Sequence, residues 1–325
     1  MSDRGVFTLS LDFELIWGGL DRGGRAELER ACERERSEVF EPLLGLLELY
    51  EIEATWSVVG HLMLPSCAPV GGRKHPEIVR PRGPGASGDR FEHDPCGDEG
   101  SFPAYYGRSL VERLLAARVP QEIGCHSFSH MIFGDPGCTR EAAASEVRAC
   151  VEVARELGIE LRSFVFPRNR VGHLDVLREH GFTCFRGPEP TWHRGGGSLG
   201  PAHRVGHLVD VVSARPPPVV VPRPVDGLVD VPASMLYFPA HGLRRRVPVA
   251  RRVRRALRGV DRAVRERRVF HLWFHPTNLA YETEPMLDGL ETVFADIARR
   301  RERGEIEVAP MAAVAERLGA DTLSP

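Results

Sequence analysis

The stretch Glu122-Ile-Gly-Cys-His126-Ser-Phe-Ser-His130 decides how the rest of the chain is interpreted. A short apolar run, typical of a β-strand, delivers two histidines, four positions apart, into a loop or first helical turn at the strand's end. Neutral imidazole is the commonest protein metal ligand, and this spacing on one helical face lets both rings reach one ion. Such a pair in isolation is more often structural than functional. The other predicted strand ends therefore decide what it means.

Composition indicates an ordinary globular protein. A chain of 325 residues, 42% hydrophobic and 27% charged, can bury a sizeable core. The formal net charge of -2 disfavours a general nucleic-acid binder. No signal-peptide apolar segment follows Met1 and no apolar run approaches membrane-spanning length, so we expect a cytoplasmic protein without an integral membrane segment. Seven scattered cysteines, an odd number, favour reduced thiols over a disulfide framework.

The first predicted strand carries two carboxylates on one face. Residues 7–15 alternate strictly between apolar and polar side chains. A solvated sheet face is the ordinary explanation of such a pattern. Here the polar face runs small, small, acid, acid toward the strand's end, which is how a barrel interior opens into an active site. The polar residues are Thr8, Ser10, Asp12 and Glu14, and Trp17 follows them.

Strands and helices alternate along the chain, which predicts a parallel α/β sheet. A helical segment over residues 25–50 is followed by the strand Ala54-Thr-Trp-Ser-Val-Val-Gly60. Residues 65–104 are rich in Pro, Gly and charge and predict a long loop, which in a compact domain is usually functional or mobile. We interpret residues 187–232, also rich in Pro and Gly, as an insertion with short strands, including one at 205–212. The prediction is a single domain over 1–325.

Two later strands also end in functional residue types. Residues 161–166 lead into Pro167-Arg-Asn-Arg170, which puts two guanidiniums in a strand-end loop. Alternation along residues 269–275 places His271, Trp273 and His275 on one face, with His275 at the strand end, where a catalytic acid is expected.

Residues 244–268 hold twelve arginines and could contact an anion. Their apolar residues recur every three or four positions, which favours an amphipathic helix with a solvated arginine face. Contact with an anionic substrate or a membrane surface stays as the alternative. The apolar stripe is Val249, Val253, Leu257, Val260 and Val264.

These strand ends together permit metal-assisted hydrolysis. Two imidazoles and one carboxylate form a three-ligand site with an open position for water, the arrangement of hydrolytic zinc and related divalent ions. One carboxylate is then left to accept a proton from water, and a histidine on the far side can protonate a leaving amine. An arginine beside the spare carboxylate would hold it ionised and oriented.

With these motifs in this order, the chain resembles carbohydrate esterase family 4, the NodB-homology polysaccharide deacetylases, over Thr8 to about Pro310. His-Ser-x-x-His is the most specific match, and Leu11-Asp-Phe-Glu14 is similar to the first motif in an Asp-x-Glu form. Residues 164–170 resemble the third motif and His275 the fifth. The resemblance implies a distorted (β/α)7 barrel and one divalent metal ion, zinc before cobalt, nickel or manganese.

The resemblance also implies roles. Asp12 would be the general base and His275 the acid, while Glu14, His126 and His130 would hold the metal. The family's third-motif arginine is replaced by Val165, so Arg168 or Arg170 would have to substitute for it. Trp273 stands where a leucine usually lines the acetyl pocket. The residues expected to contact substrate are Trp17, Tyr105, Asn169 and Trp273.

The function expected from this pattern is metal-dependent removal of an N-acyl group, acetyl first, from an amino sugar. The substrate would be a small molecule or a lipid-linked or nucleotide-linked amino sugar, with no nucleic acid as partner. One alternative is a deformylase or cyclic-amide hydrolase on the same barrel. Another is a carbohydrate-binding protein without catalysis. The sugar, the acyl group and the oligomeric state stay open.

Overall fold

Strand β1 (Gly5–Phe13) lies at the centre of a sheet of ten strands. The computed structural model describes residues 3–21, 24–83, 88–190 and 216–323. The other strands are β2 (Thr55–Val58), β3 (Ser66–Cys67), β4 (Gly97–Asp98), β5 (Glu122–Cys125), β6 (Ser163–Val165), β7 (Cys184–Arg186), β8 (Arg223–Val225), β9 (Leu228–Asp230), β10 (Met235–Leu236), β11 (Val269–Phe274) and β12 (Ile306–Val308). The α-helices are α1 (Arg25–Arg34), α2 (Phe40–Leu49), α3 (Arg108–Leu115), α4 (Arg140–Glu156), α5 (Leu174–Glu179), α6 (Val249–Glu266), α7 (Thr283–Glu302) and α8 (Met311–Leu323).

The parallel strands close into a distorted barrel. Their order is β10-β11-β1-β2-β5-β6-β7-β9. The segment 228–236 pairs first with β7 and then with β11, so it joins the two ends of the sheet. Counted once, this segment makes the ring seven-membered, and the predicted (β/α)7 barrel is confirmed. The ring is irregular because β12 and β2 divide one edge of β1 between them.

The polar face of β1 lines the barrel interior. Thr8 and Ser10 are fully buried, and Asp12 is 3% exposed. Ser10 Oγ lies 2.8 Å from His271 Nε2, which reaches it from β11, so the polar side chains satisfy one another inside the ring. These residues therefore do not form a solvated sheet face. Because the polar side chains point inward, the apolar residues of β1 point outward and pack beneath the helices.

The helix predicted over 25–50 is confirmed and contains a π-helical turn at Glu35–Val39, between α1 and α2. A π turn inserts an extra residue into the helix, and such turns occur frequently at functional sites. This turn buries Glu35 completely. The side chain of Thr277, two residues after His275, donates a hydrogen bond to Glu35. The long helix is thereby tied to the loop that follows β11.

The arginine-rich segment forms helix α6, as the apolar stripe predicts. Val260 is buried, and the other stripe residues pack against the core. Not every arginine is solvated, because Arg252 is 1% exposed and its guanidinium donates to backbone carbonyls of the segment that precedes the helix, among them those of Phe238 and Val247. Burial of this guanidinium is tolerated because its donors are satisfied.

The long loop over 65–104 carries the ribbon β3–β4 and buries Phe91 and Ile78 in the core. Of the predicted insertion 187–232, residues 191–215 lie outside the described residues, and these include the strand expected at 205–212. The rest holds β8 and β9. The assignment of 1–325 to one domain with these two irregular segments stays a prediction. Within the described ranges, no helix is long and apolar enough to cross a membrane.

Candidate metal and catalytic site

The proposed site residues meet at one rim of the barrel. Asp12 lies near the end of β1 and Glu14 just beyond it, while His126 directly follows β5 and His275 directly follows β11. Because the carboxyl ends of parallel strands share one end of a barrel, residues distant in sequence become neighbours there.

Glu14, His126 and His130 form a three-ligand set. Glu14 Oε2 lies 3.3 Å from His126 Nε2 and 3.0 Å from His130 Nε2. The ligand atoms all lie within 4.8 Å of one another. His126 Nδ1 lies 2.8 Å from the carbonyl oxygen of Val165, and donation to this carbonyl leaves Nε2 as the lone-pair atom that faces Glu14.

The set fits a divalent cation. Glu14 Oε2 is buried and accepts no hydrogen bond from the described residues, although it lies between two imidazoles. Two nitrogens and one carboxylate oxygen are the donors that catalytic zinc prefers, with a position left for water. An ion between these three atoms would satisfy the buried carboxylate oxygen.

The ionisation states suit ligand binding. Burial raises the pKa of Glu14, but the neighbouring imidazoles of His275, His130 and His126 outweigh it and hold that pKa well below its ordinary value. Burial lowers the pKa of His130 to about 4, so its imidazole is neutral at pH 7. An ionised carboxylate beside a neutral imidazole is the state that a metal requires.

The two histidines lie in a loop and do not share a helical face. Residues 126–130 are not helical, and Ser127 and His130 have positive φ angles of 58° and 61°. Glu146 of α4 holds the loop by accepting hydrogen bonds from the backbone N–H groups of Phe128, at 2.7 Å, and Ser129, at 2.8 Å. The sequence predicts either a loop or a first helical turn for this pair, and the structure has the loop. The left-handed residues turn the chain back toward Glu14.

Arg186 holds the spare carboxylate, Asp12. Its Nη1 donates to Asp12 Oδ1 at 2.6 Å and its Nη2 to Asp12 Oδ2 at 2.8 Å, a two-pronged ion pair buried in the barrel. Burial raises the pKa of Asp12, but the charge of Arg186, with those of His126 and His275, outweighs burial and keeps that pKa below its ordinary value. The Asp12 carboxylate is therefore ionised at neutral pH and held in one orientation.

The expected pairing of Arg168 or Arg170 with Asp12 was wrong. Arg168 Nη2 donates to Asp21 Oδ1 at 2.6 Å, and Arg170 forms an ion pair with Asp135. Both arginines follow β6 in a loop, and each guanidinium pairs with a carboxylate other than Asp12. Sequence reasoning missed Arg186, which is the last residue of β7. An arginine directly after an apolar run was the available clue.

The position of Arg186 explains the missing third-motif arginine. In the register of β6 with β7, Arg186 is the cross-strand partner of Val165. Val165 stands where the resemblance placed that arginine. The guanidinium thus enters from the adjacent strand and reaches the carboxylate that the third-motif arginine was expected to hold.

His275 faces both carboxylates from the rim. Its Nε2 lies 3.5 Å from Glu14 Oε1 and 3.7 Å from Asp12 Oδ2, and its side chain is 28% exposed. Trp273 is on the same face of β11, with the Arg186 guanidinium 4.3 Å from its ring centroid. Its Nε1 donates to Glu189 Oε1 at 2.8 Å, which orients the indole beside His275.

A cleft of about 560 Å³ opens over these groups. Asn169 lines it and accepts a hydrogen bond from Arg186 Nη2 at 3.2 Å. The residues that line the cleft are Asp12, Glu14, Gly18, Asp21, His126, His130, Arg168, Asn169, Arg244, Trp273 and His275.

Trp17 and Tyr105, expected to contact substrate, are not among the residues that line this cleft. Trp17 is fully buried and donates from Nε1 to the Tyr105 carbonyl oxygen at 3.1 Å, while the Tyr105 hydroxyl accepts from Arg25 Nη2 at 2.7 Å. The expectation was wrong for both, because they pack together behind the wall of the cleft.

Comparison with known proteins identifies the fold. No family model matches the chain, and no curated protein matches it in sequence. Among solved structures, a Mycobacterium smegmatis protein described as a polysaccharide deacetylase aligns with a TM-score of 0.63 at 14% identity, over 100% of this chain and 94% of that one. The chain has the fold of the polysaccharide deacetylases.

Two further structures share the deacetylase fold. A protein of Pseudomonas aeruginosa PAO1, also described as a polysaccharide deacetylase, aligns with a TM-score of 0.59 at 11% identity, over 96% of this chain and 89% of that one. Puue allantoinase aligns with a TM-score of 0.61 at 11% identity, over 98% and 92%. Since one fold hosts different chemistries, the activity has to be argued from the side chains.

Proposed function

We propose that this chain is a metal-dependent amide hydrolase that removes an N-acyl group, acetyl before other acyl groups, from an amino sugar. The observation that carries the proposal is the buried ion pair of Arg186 with Asp12, which lies beside the three-ligand set. A carboxylate held ionised next to a candidate metal site, and without a ligand role of its own in the set, is the arrangement that a general base requires.

Glu14, His126 and His130 would hold the metal ion, zinc before cobalt, nickel or manganese. When bound, the ion would supply Lewis acidity, lowering the pKa of water and polarising the substrate carbonyl. The protein residues supply the proton transfers. Asp12 accepts the proton of the attacking water, and Arg186 keeps Asp12 oriented. His275 donates a proton to the leaving nitrogen from the rim of the cleft.

The residues that line the cleft favour a substrate in which the amino sugar carries a phosphate group. Arg168 and Arg244 both line the cleft, and guanidinium groups recognise phosphate oxygens well. A nucleotide-linked or lipid-linked amino sugar brings such oxygens next to the amide. Trp273 and Asn169 would contact the acyl and sugar groups beside Asp12. A cytoplasmic location belongs to the proposal and is supported by the seven unpaired cysteines.

Cyclic-amide hydrolysis is the second candidate. Puue allantoinase has this fold with a TM-score of 0.61, nearly equal to that of the Mycobacterium smegmatis structure. The bulky indole of Trp273 at the expected acyl position also favours a substrate whose amide differs from acetamide. The same base, acid and metal ligands would serve this reaction.

The test is release of acetate or formate, and ring opening, across a panel of N-acylated nucleotide sugars, glycosides and cyclic amides. Asp12→Asn should lower kcat by about 10²–10⁴-fold with the bound metal retained, because it removes the base alone. His130→Ala should lose both activity and one metal ion. Arg170→Lys serves as the control, since Arg170 is not among the residues that line the cleft.

The outcomes separate the candidates. Turnover of cyclic amides without release from any sugar would transfer the proposal to the second candidate. A protein that binds sugars equally well as wild type and as Asp12→Asn, and turns over nothing, would be a binding protein, and the hydrolase proposal would be abandoned.

A further inference from the structure

A second cluster of metal-binding side chains lies behind the cleft. It consists of His61, Cys67, His75 and Asp94, whose ligand atoms all lie within 4.8 Å of one another. His61 follows β2, and the other three belong to the long loop over 65–104. His61 is fully buried, Asp94 is 1% exposed and His75 8% exposed.

The four donor atoms converge on a single point. Asp94 Oδ2 lies 3.2 Å from His61 Nε2, 3.5 Å from His75 Nε2 and 3.4 Å from Cys67 Sγ. The donors are two imidazole nitrogens, one cysteine sulfur and one carboxylate oxygen, drawn from positions 33 residues apart at the most.

Each of the two imidazoles is oriented by a hydrogen bond at its Nδ1 atom. His61 Nδ1 lies 3.3 Å from the Tyr105 carbonyl oxygen, and His75 Nδ1 lies 3.0 Å from Glu77 Oε1. In the neutral ring, donation from Nδ1 to an oxygen acceptor leaves Nε2 as the lone-pair atom, which is the usual arrangement of zinc-bound histidine. Both Nε2 atoms are buried without a hydrogen-bond partner among the described residues.

The carboxylate is also oriented. Asp94 Oδ1 accepts a hydrogen bond from the backbone N–H of Cys96 at 3.0 Å, so Oδ2 is the oxygen turned toward the imidazoles. The ribbon β3–β4 pairs Cys67 with Gly97 and thereby brings the sulfur to Asp94. The backbone of the loop is thus shaped around the four donors.

We propose that His61, Cys67, His75 and Asp94 bind a zinc ion at a structural site, separate from the set formed by Glu14, His126 and His130. A thiolate excludes magnesium and calcium as the preferred ions, and two imidazoles with a thiolate favour zinc. Four protein ligands complete a tetrahedral shell, which is typical of structural zinc, whereas the other set supplies three.

The position of the site assigns it a role. The backbone N–H of His61 donates to the carbonyl of Phe128 at 3.0 Å, and the Phe128 ring packs 5.8 Å from the His61 ring and 5.4 Å from the His75 ring. Phe128 lies between the two histidines of the His126–His130 loop. The zinc ion would therefore fasten the long loop against the segment that carries two ligands of the other site.

A bound metal ion would stabilise the fold of the long loop. Its described residues, 65–83 and 88–104, contain little regular structure, and few of their side chains reach the core. Metal binding contributes free energy directly to the folded state when the ligands converge only there. A structural ion would order this loop without a larger apolar core.

The experiment counts zinc in the purified full chain by mass spectrometry. Wild type should hold two zinc ions per chain, and Cys67→Ser and His75→Asn should each halve that content while Glu14, His126 and His130 keep theirs. His93→Ala is the matched control, because His93 directly precedes Asp94 in the same loop but has an exposed side chain. Its zinc content should equal that of wild type.

Cobalt distinguishes the two sites already in the wild-type protein. Cobalt bound to the proposed site should give a thiolate-to-cobalt charge-transfer absorption, since the site contains a thiolate and the catalytic set does not. The absorption should persist in His130→Ala and vanish in Cys67→Ser. Because the spectrum of the wild-type protein is read directly, a variant that fails to fold does not decide the outcome.

The proposal has clear contrary outcomes. Wild type that binds one metal ion, lost in His130→Ala, with no thiolate absorption under reducing conditions, would overturn it. So would a disulfide between Cys67 and Cys96, whose sulfurs lie 3.2 Å apart, if intact-mass measurement found it in freshly purified protein. Absence of hydrolase activity would leave this proposal standing, since zinc content is measured independently of turnover.

Discussion

Two hydrogen bonds join Arg186 to Asp12 inside the barrel, and Arg186 also donates to Ser10 Oγ at 2.9 Å and to Asn169. The guanidinium therefore occupies a fixed position. Because a buried carboxylate without a partner takes up a proton, the charge on Asp12 depends on this arginine. A base that is protonated at neutral pH accepts no proton from water.

Arg186→Gln should lower kcat/KM on the acidic side of the pH profile, by about tenfold at pH values below the pKa of Asp12 for each unit by which the pKa of this required base rises. The direction of the shift in the pH profile follows from the ion pair. Asp12 must be ionised, so activity falls as pH falls through its pKa, and removal of Arg186 raises that pKa. The acidic limb of the pH profile of kcat/KM should therefore move to higher pH.

Arg170→Gln is the matched control for this profile, because it removes a guanidinium that pairs with Asp135 and not with Asp12. Its acidic limb should coincide with that of wild type. An unchanged limb in Arg186→Gln would show that Asp12 is not the base. Arg186→Lys, which keeps the charge but loses the two-pronged geometry, should restore the limb while kcat stays below that of wild type.

At the scale of elements, the His126–His130 loop depends on helix α4. Glu146 is fully buried and accepts three hydrogen bonds from this loop, including one from Ser129 Oγ at 2.5 Å. The N-cap of the same helix is Thr139, whose Oγ1 accepts from the N–H of Ala142 at 3.2 Å. A capped helix with a buried acceptor therefore sets the position of both imidazoles.

Glu146→Gln should weaken binding of the catalytic metal by about 10–100-fold, as loss of a group that orients ligands typically does. The amide offers one acceptor oxygen where the carboxylate offers two, so part of the loop loses its partner. The measurement is the free zinc concentration that half-restores the activity of chelator-treated protein. Glu152→Gln, an exposed position on the same helix, is the control.

Equal zinc requirements for Glu146→Gln and Glu152→Gln would mean that the loop holds its shape without α4. In that case the left-handed backbone at Ser127 and His130 would be sufficient to orient the ligands. A Glu146→Gln protein that binds zinc normally but unfolds at lower temperature would indicate a purely structural contact.

At the scale of the molecule, both candidate metal sites join segments that meet only in the folded chain. The first links residue 14 to residues 126–130, and the second links the end of β2 to the long loop. Ligands that meet only in the folded chain make its stability depend on the ion, by about 2.7 kcal/mol when free metal is a hundredfold above its Kd. Stability therefore reports occupancy of both sites.

Removal of zinc with a chelator should lower the Tm of wild type by several degrees, following the loss of linked free energy. His130→Ala and Cys67→Ser should each show a smaller drop on chelation, because each has already lost one ion. Added zinc should reverse the change in wild type. Differential scanning calorimetry measures all three proteins, and a Tm that ignores the chelator in wild type would contradict metal-linked folding.

Much of the fold could be predicted because its information is periodic and local. Alternation along β1 and β11 and the helical stripe of α6 each depend on residues near one another in the chain. The strand-end positions of Asp12, Glu14, His126 and His275 follow from the same periodicity. Sequence reasoning failed at Arg168, Arg170, Trp17 and Tyr105, because their neighbours are set by how loops pack.

The sequence by itself determined the barrel class and the residue types at its rim, since strand period and strand order bring those ends together. Only the tertiary structure decided which arginine holds Asp12, because cross-strand register makes Arg186 the neighbour of Val165. It alone assembled the His61 cluster, whose members have no regular spacing and meet only when the loop folds back on β2. Contacts of that kind depend on loop geometry, which local sequence patterns do not encode.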